Sequence, residues 1–185
     1  MARRNPPDMI SDVPESARRH PDPVAAGFVT ADADDALIGR SVTINRSRHE
    51  LYDFWRDFRN LPLFMENIES VTLLTPLRSH WKVKGPADST IEWDSIITED
   101  NPGELIAWTS AEGASVPNSG RIEFRDSSNG RGTVVTATIT YDPPATRIGE
   151  LIAKLFGREP KIQARRDLRR FKQIMETGEI PRSEA

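Results

Sequence analysis

The side chains of this sequence that could do acid–base or nucleophilic chemistry are few and widely spaced. The chain has three histidines, His20, His49 and His80, and none stands at a motif spacing from a carboxylate or a nucleophile. Neither a G-x-S-x-G elbow nor an H-E-x-x-H metal motif occurs. Cysteine is absent, which excludes thiolate nucleophiles and cysteine-based metal sites. We therefore predict no catalytic residue, no metal and no cofactor.

Two carboxylates are spaced as an acid–base pair would be. Glu92 and Asp94 flank Trp93 and stand about 7 Å apart along an extended strand, which is within the range of a working carboxylate pair. Alternation turns both away from the apolar face, so we interpret them as a solvated strand surface. Tyr141 is the one polar group that the pattern directs inward. The candidates for catalysis therefore reduce to a single phenol.

Wide aromatic side chains recur along a series of predicted strands. Trp81, Trp93 and Trp108 fall on strands of one meander, and Phe124 and Tyr141 follow further along it. Aromatic walls with few polar groups are typical of a site for a flat or isoprenoid ligand. The alternative is that these side chains fill an ordinary core and leave no site.

Composition and charge locate the part of the chain that folds. The 185 residues are 37% hydrophobic and 29% charged, with a net charge of −3. Residues 1–38 hold four arginines against seven acidic residues and carry that whole charge, so residues 39–185, which contain the predicted domain 39–178, are neutral. We interpret residues 1–38 as a disordered N-terminal tail and residues 179–185 as a C-terminal tail. A neutral domain argues against nucleic acid as a partner.

Targeting signals do not stand out. No stretch approaches the roughly 20 apolar residues of a membrane span, and the apolar run at residues 24–29 is too short for a signal-peptide core. We therefore expect a cytoplasmic protein.

The elements that position these residues begin with a strand. Residues 41–45 alternate and are rich in β-branched side chains, which predicts a strand. Ser47 and Glu50 form a capping box, so a helix should begin there and end near Asn60. Pro62 then opens a second short helix.

A run of strands and a long helix complete the order. Turn residues divide residues 71–141 into successive antiparallel strands, in which Trp81 faces inward and His80 outward, while the face of Trp108 is ambiguous. A helical period then runs from Ile148 to Met175, with a break predicted at residues 157–160 and a cap at Gly178.

This order and several short motifs resemble a known family. The motifs are Ser41-Val42-Thr43-Ile44-Asn45, Phe54-Trp55-Arg56-Asp57-Phe58, Asn60-Leu61-Pro62, Glu92-Trp93-Asp94 and Asp167-Leu168-Arg169-Arg170-Phe171-Lys172. Over residues 39–178 the sequence resembles the polyketide cyclase/dehydrase branch of the START and Bet v 1-like (SRPBCC) superfamily, which includes coenzyme-Q-binding START-domain proteins. The resemblance implies an α+β helix-grip fold, in which a curved antiparallel sheet wraps around a long C-terminal helix and two short helices follow the first strand.

The resemblance also implies a cavity between the sheet and the C-terminal helix. The residues that we expect to line it are Phe64, Trp81, Trp93, Trp108, Phe124, Tyr141, Ile152, Phe156 and Phe171. The predicted function is non-catalytic binding or transport of a hydrophobic small molecule, such as a lipid, a quinone or a polyketide-like compound. The alternative is a polyketide cyclase or dehydratase that uses Tyr141.

Charge is unevenly spread within the neutral domain. Residues 158–172 hold seven basic against two acidic residues, and residues 88–126 hold nine acidic against two basic residues. A second alternative is therefore a module that docks on an anionic membrane surface or an acidic protein. Its contact residues would be Arg165, Arg166, Arg169 and Arg170. The competing interpretation is that these arginines are solvated and pair with Asp167 and Glu176.

Overall fold

The computed structural model of the protein describes residues 36–85, 88–141 and 160–180. The predicted N-terminal tail up to residue 35 lies outside these ranges, and so do residues 142–159, which contain the first part of the predicted C-terminal helix and most of its predicted break. In chain order the elements are β1 Ala36–Ile44, α1 Arg48–Arg56, a 3-10 helix Phe58–Leu63, β2 Ile68–Leu73, β3 Arg78–Lys84, β4 Thr90–Asn101, β5 Leu105–Ser110, β6 Asn118–Asp126, β7 Thr133–Tyr141 and α2 Pro160–Thr177.

Seven antiparallel strands form one curled sheet in the order β1-β7-β6-β5-β4-β3-β2. Strands β2 to β7 follow one another as a meander, whereas β1 pairs along its length with the last strand. The two helices between β1 and β2 carry the chain to the far edge of the sheet. Helix α2 packs against the sheet, and its Leu168, Phe171 and Ile174 enter the core. The predicted α+β helix-grip fold is confirmed.

The first helix begins where the capping pattern predicts. Ser47 Oγ accepts a hydrogen bond from the backbone N–H of Glu50 at 3.3 Å, which satisfies one of the free donors of the first turn. The Glu50 carboxylate lies 3.3 Å from Arg46. Leu51 and Trp55, at helical spacing, are both buried.

The end of this helix differs from the prediction. Helix α1 ends at Arg56, and not near Asn60, because Asp57 leaves the helical conformation and its side chain caps the 3-10 helix by accepting from the N–H of Arg59 at 3.1 Å. Pro62 therefore lies inside the second short helix and does not open it.

Strand β1 is longer than local alternation predicts. It begins at Ala36, within the segment 1–38 that we interpret as a tail, and Ala36 pairs with Tyr141 at the far end of β7. The length of β7 thus sets the length of β1. At the other end of the chain, Gly178 caps α2 as predicted: its φ is +74° and its N–H donates to the carbonyl of Ile174 at 2.8 Å.

Candidate ligand cavity

A cavity of about 80 Å³ lies between the inner face of the sheet, helix α1 and helix α2. Its walls are mainly apolar. Four polar side chains reach it within the described residues, namely Asn67, Asn118, Tyr141 and Asp167. All four tryptophans of the chain, Trp55, Trp81, Trp93 and Trp108, line it as well.

Three of these indoles form a tryptophan stack, which we define as Trp81, Trp93 and Trp108. The Trp81 ring lies between the other two, with centroid distances of 6.1 Å to Trp93 and 6.3 Å to Trp108 and interplanar angles of 17° and 21°. Trp81 and Trp93 are directly paired residues of β3 and β4. Strand register therefore builds this wall, because paired residues project from the same face.

A glycine residue leaves space for the tryptophan stack. Gly120 on β6 is paired with Trp108, and a Cβ atom there would lie 2.1 Å from Trp108 Cζ2. The ring of Trp108 thus occupies the space in which the side chain of any residue other than glycine at position 120 would lie. The ambiguity of Trp108 in the sequence is resolved: the side chain is buried and faces the cavity.

Buried serines satisfy two of the indole N–H groups. Trp81 Nε1 donates to Ser79 Oγ at 2.8 Å and Trp93 Nε1 donates to Ser95 Oγ at 3.2 Å. Each serine stands two residues from its tryptophan and so projects from the same face of the strand. A buried donor needs such a partner.

The polar end of the cavity is formed by Asp167 on α2. This side chain is 7% exposed and accepts hydrogen bonds from Gln163 Nε2, at 2.8 Å, and from the backbone N–H of Glu66. Burial raises the pKa of Asp167 to about 7, against the opposing effects of these donors and of Arg170. At neutral pH the carboxyl group therefore exchanges between its protonated and ionised forms.

Tyr141 stands at the same end of the cavity. Burial raises the pKa of its phenol, and the charge of Asp167 adds to this effect. The phenol is therefore a hydrogen-bond donor at all physiological pH values. Together the two groups could orient a ligand oxygen or exchange a proton with it.

The structure divides the predicted pocket residues into two groups. Trp81, Trp93, Trp108 and Tyr141 line the cavity. Phe64 and Phe171 instead pack on the ring of Trp55, and Phe124 packs edge-on against Tyr52 at 6.1 Å. These three belong to the core because helix α1 covers them. Ile152 and Phe156 lie outside the described residues.

Asp167 and Trp55 are among the cavity residues that the sequence did not predict as site residues. We interpreted Asp167 as an ion-pair partner of surface arginines, which is wrong, because it is buried. Its spacings of 3 from Ala164 and 4 from Phe171 place it on the apolar face of the helix, and that signal could have revealed it. Trp55 was recognised only as part of an apolar helix stripe, and only tertiary structure brings it to the cavity.

The outer face of β3 and β4 carries charged groups whose contacts with one another are not predicted by the sequence patterns. We define the outer-face network as Arg78, His80, Lys82, Glu92 and Asp94. His80 Nδ1 lies 2.8 Å from Asp94 Oδ1 and His80 Nε2 lies 3.1 Å from Glu92 Oε2. Hydrogen bonding to Asp94 raises the pKa of His80, and the same contact lowers that of Asp94. The spacing of residues along the sequence predicts no partner for this histidine.

Two further cations complete the outer-face network. Arg78 Nη2 donates to Asp94 Oδ2 at 2.7 Å, and Lys82 Nζ lies 3.0 Å from Glu92 Oε1. Glu92 and Asp94 thus lie on the solvent side of the sheet, as predicted from alternation. They face away from the cavity and cannot act on a molecule inside it.

The excess acidic charge of residues 88–126 is largely neutralised by cations from elsewhere in the fold. Asp100 pairs with Arg56 of α1 at 2.7 Å, and it also accepts from the hydroxyl of Tyr52. Arg48 approaches Glu104 at 3.3 Å. The strands within residues 88–126 therefore do not form a surface of unpaired carboxylates, although the net charge of this segment indicated one.

Helix α2 differs in this respect. Arg165, Arg166 and Arg169 are exposed, and none of them forms an ion pair with another described residue. Arg170, predicted to share this surface, is half-buried and pairs with Glu66. The ion pair between Arg170 and Glu66 therefore joins α2 to the segment before β2.

Glu176, the other predicted partner of the arginines, lies elsewhere. It accepts a hydrogen bond from the backbone N–H of Asn45 at 2.8 Å and pairs with Lys172 at 3.6 Å. Within residues 36–85, 88–141 and 160–180, no group of three or more histidine or carboxylate side chains could hold a metal ion. In the same ranges no helix has the length and apolarity needed to cross a membrane.

A curled antiparallel sheet that grips a C-terminal helix, with an apolar cavity between them, defines a protein of the helix-grip class. Comparison of the sequence with known families then identifies the family. Residues 44–169 match the polyketide cyclase / dehydrase and lipid transport family, and the chain belongs to it. The predicted family is confirmed.

Individual proteins are also similar to this chain in sequence or in structure. A crystal structure of a Deinococcus radiodurans protein is 38% identical, with a TM-score of 0.65, over 78% of this chain and 99% of the other. An uncharacterised 17.2 kDa protein of Streptomyces lincolnensis is 27% identical over 75% of this chain and 89% of its own. The Zhui aromatase/cyclase of Streptomyces sp. R1128 shares the fold, with 13% identity and a TM-score of 0.60 over 78% and 98% of the two chains.

Proposed function

We propose that this protein binds or carries a flat, hydrophobic small molecule in the tryptophan-lined cavity without converting it. The observation that carries the proposal is the convergence of all four tryptophans on one mainly apolar cavity. Indoles from β3, β4, β5 and α1 offer faces and edges on which a planar ring can stack. A quinone or polyketide-like ring suits such walls better than a flexible acyl chain.

The size of the cavity limits what can enter it. Its volume of about 80 Å³ is below the roughly 300–1,000 Å³ of sites for drug-sized ligands and below the roughly 150 Å³ of an engineered cavity that binds benzene. A bound ring must therefore displace part of the wall. Asn67 and Ile68 line both the cavity and an open groove beside it, so they separate the two. We infer that a ring occupies the cavity and that any tail lies in this groove.

Ligand titration tests the proposal directly, because every tryptophan of the chain reports on the cavity. Naphthoquinones and short-chain ubiquinones should change the intrinsic fluorescence saturably, and a fatty acid of similar hydrophobicity should not. Ala137→Leu, which narrows the cavity, should abolish binding. Ala107→Leu on β5, which does not line the cavity, is the matched control. No saturable binding to the wild-type protein by any ring would reject the proposal.

A second candidate function is that of a cyclase or dehydratase. It is favoured by Asp167, whose pKa of about 7 lets it donate and accept a proton near neutral pH, and by its neighbour Tyr141. A polyketide surrogate should then be turned over by the wild-type protein. Asp167→Asn and Tyr141→Phe should each abolish turnover while binding persists. The absence of turnover by the wild-type protein would reject this candidate.

A third candidate, docking on an anionic membrane or an acidic protein, is favoured by the exposed arginines of α2. Arg165→Glu combined with Arg169→Glu should then remove salt-sensitive binding to vesicles that contain anionic lipid. Arg121→Glu combined with Arg125→Glu reverses the same charge on β6 and is the matched control. Unchanged binding by the α2 double variant would reject this surface.

A further inference from the structure

Asn118 is a buried polar side chain at the polar end of the cavity. It begins β6 on the inner face of the sheet, which it shares with Gly120 and Ile122. The residue is only 8% exposed and lines the cavity. Across the sheet it is paired with Tyr141 of β7, which lies at the same end of the cavity as Asp167.

Three hydrogen bonds hold Asn118 in place. Its backbone N–H donates to Ser110 Oγ at 3.1 Å, and its backbone carbonyl accepts from Thr109 Oγ1 at 3.4 Å. Its Nδ2 donates to the backbone carbonyl of Val116 at 2.8 Å. A carbonyl can accept only from the nitrogen of the amide, so this contact also identifies which side-chain atom is Oδ1. The side chain therefore has a defined orientation before any ligand binds.

The remaining polar atom of the side chain, Oδ1, is an unused acceptor. Among the described residues no group donates to it. In the same part of the chain, the indole N–H of Trp55 is the only fully enclosed side-chain donor or acceptor without a partner. Asn118 Oδ1 also lacks a partner and is not enclosed, so it keeps accessible surface within a residue that is otherwise buried. Because Asn118 projects from the inner face and lines the cavity, this surface faces the cavity.

We propose that Asn118 is a specificity-determining acceptor that selects ring ligands bearing a hydroxyl group. The inference rests on the proposed ligand-binding function and narrows its ligand class to phenols and hydroquinones.

The acceptor character of Asn118 Oδ1 decides which oxygen group on a ring suits this end of the cavity. A ring that enters must replace the hydrogen bond that water would otherwise give to this oxygen. A hydroxyl group donates and so replaces it, whereas a carbonyl or an ether oxygen only accepts and would set one lone pair against another. A ligand carboxylate would add a charge beside the carboxyl group of Asp167 in a mainly apolar cavity, which disfavours it.

Two ligands that differ in one group test this inference. 2-Naphthol and 2-methylnaphthalene have nearly the same shape, with a hydroxyl group in one and a methyl group in the other. We define the hydroxyl preference as the affinity of the full-length protein for 2-naphthol divided by its affinity for 2-methylnaphthalene. In carbon-13 spectra the Cγ signal of Asn118 should move downfield with 2-naphthol and not with 2-methylnaphthalene, because only the hydroxyl group donates to Oδ1.

Two matched variants isolate the acceptor. Asn118→Leu keeps a side chain of similar size without an oxygen, and the hydroxyl preference should fall about three- to tenfold. Asn101→Leu makes the same substitution at an exposed asparagine that does not line the cavity, and the preference should be unchanged. Comparing the ratio between proteins removes the different solubilities of the two ligands in water. If Asn118→Leu does not fold, the wild-type spectra decide alone.

The outcomes distinguish this inference from the function on which it rests. An unchanged hydroxyl preference in Asn118→Leu, or an unmoved Cγ signal in the wild-type protein, would overturn the role of Asn118 and leave ligand binding standing. Binding of other rings without binding of 2-naphthol would do the same. Failure of both naphthalenes and of every ring in the quinone panel to bind would overturn both proposals.

Discussion

The two faces of the β3–β4 hairpin are built from alternate residues of the same strands, yet they use unlike interactions. On the inner face Trp81 lies opposite Trp93, and on the outer face His80 lies opposite Asp94. Inner side chains contact other rings and two buried serines. Outer side chains contact charged partners that water could replace. The comparison shows that strand register joins partners equally on both faces, whereas burial decides how much each contact contributes.

The difference can be expressed as energies. A buried tryptophan removes about 150–250 Å² from water, and its truncation to alanine typically costs about 3–5 kcal/mol. Exposed ion pairs contribute about 0.2–1 kcal/mol each. Substitutions on the inner face should therefore dominate stability, and those on the outer face should have small effects.

Trp81→Ala should have the largest effect, a loss of about 3–5 kcal/mol in the free energy of unfolding, because Trp81 is the central ring of the tryptophan stack. Urea denaturation followed by far-ultraviolet circular dichroism would measure it. A loss below about 1 kcal/mol would contradict the view that the stack is part of the core.

Asp167→Asn tests the one buried acid among these inner groups. The pKa of Asp167 in the folded protein, about 7, is above its usual value of 3.8, so its contribution to stability falls as pH rises from about 4 to 7. Asparagine does not titrate, so the Asp167→Asn variant does not lose this stability as the pH rises. Its stability relative to wild type should therefore rise by on the order of 3 kcal/mol between pH 4 and pH 8.

Among the described residues, the charged and titratable neighbours of Asp167 are Tyr141 of β7, Glu66 before β2 and Arg170 of α2. They are present in both proteins, so the comparison isolates the carboxyl group. Unfolding free energies that run parallel with pH in the two proteins would show that Asp167 is not held in its protonated form by burial.

Gly120→Ala should cost about 1–3 kcal/mol, because its Cβ atom would overlap the ring of Trp108 and force that ring from the stack. The near-ultraviolet circular dichroism of the stacked indoles should weaken as well. Gly39→Ala is the control, since its Cβ would meet only Thr138 Oγ1 at 4.0 Å. Equal effects of the two substitutions would mean that Trp108 can move away without cost.

His80→Ala should have the smallest effect, about 0.5 kcal/mol, because the outer-face network is in contact with solvent. The pKa of His80 is raised above 6.5 in the folded protein, so its stabilising contribution is complete below pH 6.5 and is lost as pH rises through the raised value. Thermal unfolding at pH 5.5 and pH 8.5 should thus show a larger cost at the lower pH. A cost as large as that of Trp81→Ala would contradict the comparison between the two faces.

Sequence patterns predicted the faces of individual strands well. Alternation placed Trp81 inward and Glu92 outward, and the helical stripe placed Phe171 in the interior. The same patterns could not predict partners. His80 meets carboxylates 12 and 14 residues away only because β3 and β4 pair in one particular register.

The candidate site was predictable only in part, and for a related reason. An inward-facing aromatic residue can line a cavity or fill the core, and the outcome depends on what lies above the sheet. Helix α1 covers Phe124, so this residue packs in the core, whereas Trp93 stays at the cavity. No pattern within a single strand contains that information.

By itself the sequence determined the order of elements, the buried face of most strands and the capping of α1 and α2, because these depend on neighbours within a few residues along the chain. Only the tertiary structure decided that four tryptophans share one cavity, that Asp167 is buried there and that the indole N–H of Trp55 has no acceptor among the described residues. These features arise from contacts between residues distant in sequence, and the free energy of burial acts only once those contacts have formed.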